Sequence, residues 1–311
     1  MWMVKMQRPV VIGLILLIVG NLFSAFYDVS IKWLPEDANA ATFLLVRQIT
    51  SVLMLLPIWL YSQRPKTEHI SVHLWRANIG SVGALFLIIG LMALPLATVS
   101  SLFYSAPLMI ILMGYWFLKE RITTGQVVCT LLGFVGILII LRPSEMNWFG
   151  LAVLFSAFTF AVNQLTLKKV PNTEHPVLTL MLYNLLGIPA TLIIAAFQGL
   201  EGLSWGLLAV ALLSNAFLLI YHWFCVLAYR RAQASDIAIA EYTGLLFIVF
   251  LGWLLFDEWL DSLSWLGAAL IVLPSLFLPW IGMWVAKSPK VMNDIQVKAL
   301  GLEAVEGEPK P

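Results

Sequence analysis

The sequence predicts an all-α fold: a polytopic membrane protein of ten transmembrane helices, arranged as two inverted five-helix repeats with both termini cytoplasmic. Three observations lead there. Of its 311 residues, 61% are hydrophobic and only 11% charged, against roughly 25% charged and about 45–50% apolar in a soluble domain. The apolar residues run in continuous stretches of about 20, the length that crosses a hydrocarbon layer. One half of the chain also aligns with the other at a constant offset. Mean hydropathy is +0.92, and thirteen Trp and eighteen Phe add to the apolar load. A soluble fold still needs a polar surface, so this composition excludes a soluble enzyme, a disordered chain, a secreted disulfide scaffold and a nucleic-acid binder.

The ten expected spans are 9–31, 38–61, 73–93, 96–118, 125–142, 148–168, 176–198, 204–228, 234–256 and 263–285. Barrel strands would alternate apolar and polar residues over about 10 positions, whereas these runs are unbroken, so helices are expected. Residues 1–8 form a short cytoplasmic N-terminus. Lys5 and Arg8 precede a first stretch too long for a signal peptide, which is expected to stay as a helix. Residues 9–142 make the first repeat and 143–285 the second. The polar tail 286–311, with its EAVEGEPKP sequence, is expected to be a disordered cytoplasmic end.

Basic residues set the orientation. A cytoplasmic N-terminus places fifteen of the eighteen Lys and Arg inside, leaving Lys32 and Arg142 outside and Arg47 within a span. Cys129 and Cys225 fall inside spans, which argues against a disulfide. No N-x-[ST] sequon occurs, in keeping with a bacterial inner (plasma) membrane.

The repeat is seen by aligning PLATVSSLFYSAPLMIILMGYWFLKERIT, from Pro95, with QASDIAIAEYTGLLFIVFLGWLLFDEWLD, from Gln233. Tyr104 then meets Tyr242, Gly114 meets Gly252 and Glu120 meets Glu258. An odd number of crossings per unit turns the second copy upside down. The loop charges agree: Lys119 and Arg121 have no basic counterpart in Asp257-Glu258-Trp259. Inverted repeats suit alternating access around a midplane site.

These residues resemble the ten-helix, EamA-type branch of the drug/metabolite transporter superfamily over roughly 10–285. The resemblance is carried by Ala93 to Ser100 (ALPLATVS) with Pro107 and Lys119-Glu120-Arg121 in the first half. In the second half it is carried by Ala228 to Ser235 (AYRRAQAS), Glu241-Tyr242-Thr243 and Asp257-Glu258. Leu245 departs from the pattern where the first half has Pro107. The resemblance implies secondary transport of a small organic solute such as an amino acid, riboflavin or S-adenosylmethionine. Export of toxic, aromatic or metallophore-type compounds is the alternative it leaves open. It implies no ATP site and fixes neither substrate nor direction.

Charged groups inside a bilayer are functional candidates by default, and three stand out: Asp28, Arg47 and Glu241. Arg47 lies too deep to snorkel, so it either pairs with Asp28 structurally or binds substrate. Glu241 has no acidic partner in the first repeat, where Phe103 takes its place. It is a candidate for binding a coupling proton or a cationic part of the substrate, with Tyr104 or Tyr242 as hydrogen-bonding neighbours; the alternative is an acid that holds helix ends together. His222 is read as a packing residue or a relay. Asn163, with Gln164, Asn184 and Asn215, either bonds across helices or lines a cavity. His69 and His73 share helical spacing in an expected cytoplasmic loop, but without Cys neighbours they are a poor metal site.

No phosphate-binding or dinucleotide motif is present, so no cofactor and no metal are expected. Nor does any catalytic cluster of His and Asp suggest an intramembrane lipid enzyme. The expected partners are a small organic solute and membrane lipid, with a homodimer possible and nucleic acid excluded. Pro57, Pro95, Pro107, Pro189 and Pro274 interrupt or flank spans, and Gly80, Gly83, Gly133 and Gly136 offer small helix faces.

Overall fold

The computed structural model describes residues 8–120, 124–141, 148–198, 200–259, 261–263, 265–270 and 273–274. Among these the chain is wholly helical. The helices are α1 (Arg8–Ile31), α2 (Ala40–Tyr61), α3 (Ile70–Ala93), α4 (Leu96–Phe103), α5 (Ala106–Leu118) and α6 (Thr124–Leu141). They continue as α7 (Trp148–Leu167), α8 (Pro176–Leu185), α9 (Ile188–Phe197), α10 (Trp205–Tyr229), α11 (Ala234–Ile237), a 3-10 turn (Ala238–Tyr242) and α12 (Thr243–Phe256). Seven stretches of the described residues are long and apolar enough to cross a membrane. The expected fifth and ninth spans correspond to the shorter α6 and α11–α12. The tenth span, 263–285, and the tail 286–311 lie largely or wholly outside the described residues.

Three expected spans are interrupted rather than continuous. In 96–118 the helix stops at Phe103 and restarts at Ala106, with Pro107 in the first turn where its missing N–H costs nothing. In 234–256 the second repeat breaks at the matching place through the 3-10 turn, although Leu245 stands where the first half has proline. In 176–198 the chain breaks at Leu186 and Gly187, and Pro189 restarts it. A Cβ on Gly187 would lie 2.7 Å from Gln48 Nε2 and closer still to Ser81 Oγ. That glycine therefore lets the broken helix approach α2 and α3.

Helices in a membrane associate through close packing rather than hydrophobic transfer. The most extensive contacts join α1 to α10 and α3 to α7. The first helix of each repeat thus packs on the third helix of the other. Gly80, Gly83 and Gly90 line the α3 face toward α7, where an added Cβ at Gly83 would strike Thr159 and one at Gly90 would strike Val153. Interhelical polar bonds supplement this packing. Gln48 Nε2 donates to Ser81 Oγ at 2.7 Å, Thr191 Oγ1 donates to Gln48 Oε1 at 2.6 Å, and Ser51 Oγ donates to Asn215 Oδ1 at 2.6 Å. Outward faces are apolar, as the exposed Leu53, Phe117, Leu131 and Trp205 show.

The placement of His73 corrects the sequence reading. Helix α3 begins at Ile70, so His73 is a fully buried helical residue rather than part of a loop. Its Nε2 lies 3.0 Å from Glu174 Oε1, and no group of three metal-ligating side chains occurs among the described residues.

Candidate functional site

A central cavity of about 100 Å³ opens between α1, α2, α3, α7, α8 and α10. Its polar wall is built from Tyr27, Asp28, Arg47, Arg76, Asn163 and His222, with aromatic sides from Phe103, Phe160, Tyr183 and Tyr221. The glycines of α3 make the room: a Cβ on Gly80 would meet the Tyr183 ring and lie 2.6 Å from Asn163 Nδ2. Sites for drug-sized ligands enclose roughly 300–1,000 Å³, so this cavity is small by comparison.

Two guanidinium groups dominate the wall. Arg47 is 3% exposed and Arg76 6%. The Arg47 side chain stands over the Tyr27 ring, 5.6 Å from its centroid, and Nη1 reaches the Tyr27 hydroxyl at 3.5 Å. The Arg76 side chain stands 5.9 Å from the Tyr183 centroid, and its Nε donates to Asn163 Oδ1 at 3.0 Å. Asn163 completes the clamp by donating from Nδ2 to the Arg76 carbonyl at 3.3 Å. Asp28 faces the same cavity but forms no ion pair with Arg47 among the described residues, so the structural pairing considered from the sequence is absent. His222 sits between Tyr183 and Tyr221, with ring centroids 5.7 Å and 5.4 Å away.

Glu241 occupies a small recess of about 10 Å³ that shares Ser24, Asp28, Phe103, Phe160 and Tyr221 with the main cavity. The carboxylate accepts from Tyr229 Oη at 3.1 Å and Tyr221 Oη at 3.4 Å. Those two tyrosines of α10, not Tyr104 or Tyr242, are its hydrogen-bonding partners. Tyr104 lines the recess, and its ring centroid lies 6.4 Å from that of Tyr242. The 3-10 turn carrying Glu241 is held by Asn21 of α1, whose Nδ2 donates to the Ala240 carbonyl at 2.8 Å and to Thr243 Oγ1 at 3.1 Å.

At each end of the bundle the same anchor recurs. Helix α5 finishes with Lys119 in the left-handed region at φ 54°, and α12 finishes with Asp257, also at φ 54°. That turn folds the next residue back. The Glu120 N–H donates to the Gly114 carbonyl and the Glu258 N–H to the Gly252 carbonyl, both at 3.1 Å, in the manner of a Schellman cap. The glutamates then cross between repeats. Glu120 Oε1 accepts from the Ala234 N–H at 3.1 Å, capping α11, and Glu258 Oε2 accepts from the Leu96 N–H at 2.7 Å, capping α4. Beside them, Lys168 donates to the Ala232 carbonyl and Lys32 to the Leu94 carbonyl. Ala232 and Ala234 are the repeat counterparts of Leu94 and Leu96.

A further polar cluster adjoins the cavity at Thr179. Glu174, in the loop before α8, accepts from Thr179 Oγ1 at 2.7 Å and from His73, and its carbonyl accepts from Arg230. Burial alone would raise the Glu174 carboxyl, but hydrogen bonds from His73, Thr67 and Thr179 outweigh it and hold the group down at about 2. Burial likewise lowers Arg230, partly offset by Glu174.

A family model for the EamA-like transporter family matches residues 11–142 and, a second time, 147–278. The chain belongs to the EamA-like transporter family. EamA-like relatives carry transporter names rather than enzyme names. A riboflavin transporter of Rhizobium johnstonii is 31% identical over 68% of this chain and 71% of its own length. A riboflavin transporter of Vibrio cholerae is 28% identical over 82% of this chain and 87% of its own. An S-adenosylmethionine uptake transporter of Rickettsia conorii is 26% identical over 82% and 88%. A crystal structure 15% identical in sequence superposes with a TM-score of 0.63 over 88% of this chain and 98% of the other, which shows a shared fold. The protein is therefore a multi-pass membrane transporter.

Of the EamA-like site candidates read from the sequence, Asp28, Arg47, Asn163 and His222 meet in the main cavity, and Glu241 and Tyr104 in the adjoining recess. Tyr242 packs on Tyr104. Arg76 escaped notice because it lies only six residues into α3 and counted as a cytoplasmic charge. Tyr183 carries no motif, and Tyr229, although part of the AYRRAQAS segment, shows no local sign of its bond to Glu241.

Proposed function

We propose that this protein is a secondary active transporter of a small organic metabolite, working by alternating access around the central cavity. Direction of net flux follows the imposed gradient, because two inverted repeats have no intrinsic preference. The observation that carries the reading is the reciprocal anchoring: Glu120 of the first repeat caps a helix of the second, and Glu258 does the reverse. Each anchor joins α4–α5 or α11–α12 to the opposite repeat at one end only. Releasing one while keeping the other would open the cavity to one side of the membrane at a time. The helix interruptions beside Tyr104 and at the 3-10 turn of Glu241 supply bending points between anchor and cavity.

Glu241 is the proposed coupling group. It bonds to two tyrosine hydroxyls, with no cation within ion-pair distance among the described residues, and it shares walls with the cavity. Protonation would release Tyr221, a residue of both spaces, and so link proton load to cavity shape. Riboflavin-like and S-adenosylmethionine-like compounds are the first substrates to test, from the relatives' names. The test is purified protein in liposomes with a pH gradient imposed or collapsed. Gradient-dependent accumulation of a solute is expected, and Glu241→Gln should abolish accumulation while keeping solute exchange. Normal uphill uptake by that variant would refute the coupling role, and absence of any flux would refute transport.

A further inference from the structure

Arg47 and Arg76 are unusual among buried charges because neither has a carboxylate within ion-pair distance among the described residues. Arg47 Nε and Arg76 Nη1 are buried with no hydrogen-bond partner. The remaining contacts are modest: a 3.5 Å bond to Tyr27 for one, an amide oxygen for the other. The Tyr27 and Tyr183 rings lie against the two guanidinium groups, and both arginines line the cavity. Desolvated charge without a counter-ion is costly, and the cavity wall carries two guanidinium groups and one carboxyl, Asp28. Guanidinium edges match the planar or tetrahedral oxygens of carboxylates and phosphates.

We propose that the cavity selects an organic anion, whose carboxylate or phosphate binds between Arg47 and Arg76. Resting on the transport reading of the same cavity, the proposal adds the chemical class of the substrate. The oxyanion is placed toward α2 and α3, where Arg47 and Arg76 stand, and away from the Asp28 carboxyl on the α1 wall. The aromatic sides, Phe103, Phe160 and Tyr221, then accommodate an apolar or ring portion.

The experiment uses full-length protein in lipid nanodiscs and matched pairs that differ at one anionic group: riboflavin 5′-phosphate against riboflavin, nicotinate against nicotinamide, and S-adenosylmethionine against its decarboxylated form. Calorimetry is expected to show at least one anionic member binding about tenfold or more tighter than its partner, the scale of a charge-assisted bond. Arg47→Gln and Arg76→Gln should each erase that preference while leaving the partner within about twofold. Phosphate-bearing and carboxylate-bearing pairs report separately on the two oxyanions. Ligand-free melting temperature gives a second readout: removing an unpaired buried charge should leave it unchanged or raise it. The proposal is overturned if no anionic member binds, if partners bind equally, or if both variants weaken the two members alike and melt earlier. Discrimination in binding without flux in liposomes would sink the transport reading and leave this one standing. Flux of neutral solutes unaffected by either substitution would do the opposite.

Discussion

Cutting one anchor at a time should tip the protein toward one face of the membrane. Glu258→Ala removes the acceptor that caps α4 and leaves Lys32 without its carboxylate, 4.0 Å away. Losing an N-terminal cap acceptor costs about 1 kcal/mol, and a partly exposed ion pair such as Lys32–Glu258 adds at most about 0.5 kcal/mol. In the proposed cycle that energy stabilises only the state closed at the Glu258 end. The ratio of states open and closed there should therefore rise roughly 5- to 10-fold. Glu120→Ala removes the equivalent cap from α11 and should shift the ratio the other way. The assay places a cysteine at Ser24, which lines the cavity, in a background with Cys129 and Cys225 replaced by serine. Its labelling rate by a membrane-impermeant maleimide is then followed from the outer face. In the orientation expected from the basic residues, with both termini cytoplasmic, Glu258→Ala should speed labelling and Glu120→Ala should slow it. Rates that move in the same direction, or by less than twofold in both variants, would reduce the glutamates to static helix caps and remove the support for alternation.

Three further outcomes follow from the geometry. Glu174 is held near 2 by its hydrogen bonds, below the ordinary carboxylate value of 4.5; a depressed folded-state value stabilises the protein above that ordinary value and is lost as pH falls toward 2. A melting-temperature profile in detergent should fall more steeply below pH 5 for the wild type than for Glu174→Gln, and parallel profiles would contradict the assignment. Gly80→Val should drive a side chain into Tyr183 and Asn163, costing about 1–3 kcal/mol by overpacking; solute binding should be lost with a measurable drop in melting temperature, and unaltered binding would show that the wall is elsewhere. Asn215→Ala breaks the bonds to Ser51 and Thr50 but lies outside the cavity lining. It should cost about 1 kcal/mol or less and leave flux kinetics unchanged, whereas a large transport defect would extend the site along the α2–α10 contact to Asn215.

Much of the architecture was legible because lipid imposes a simple rule: a helix must be long and apolar to cross. Hydropathy alone located α1, α2, α3, α7 and α10 to within a few residues. The paired Gly114–Glu120 and Gly252–Glu258 positions were visible as repeats, but which helices their glutamates cap was not. A glutamate that caps a helix some 114 or 162 residues away leaves no local trace. The breaks at Phe103 and Leu186 were marked only by Pro107 and Pro189, since apolar composition continues through them.

Charge shows the same division. The sequence by itself determined that the protein lives in a membrane, that its halves are copies, and that Asp28, Arg47 and Glu241 are costly residues in need of a reason. Burial in lipid depends on composition along one helix, which a linear reading captures. Only the tertiary structure decided that Arg47 turns to Tyr27 instead of Asp28, that Arg76 joins it across the cavity, and that Glu241 belongs to Tyr221 and Tyr229. Partner choice depends on which faces of separate helices meet, and that is set by glycine-lined packing such as α3 on α7. No spacing within a single helix encodes it.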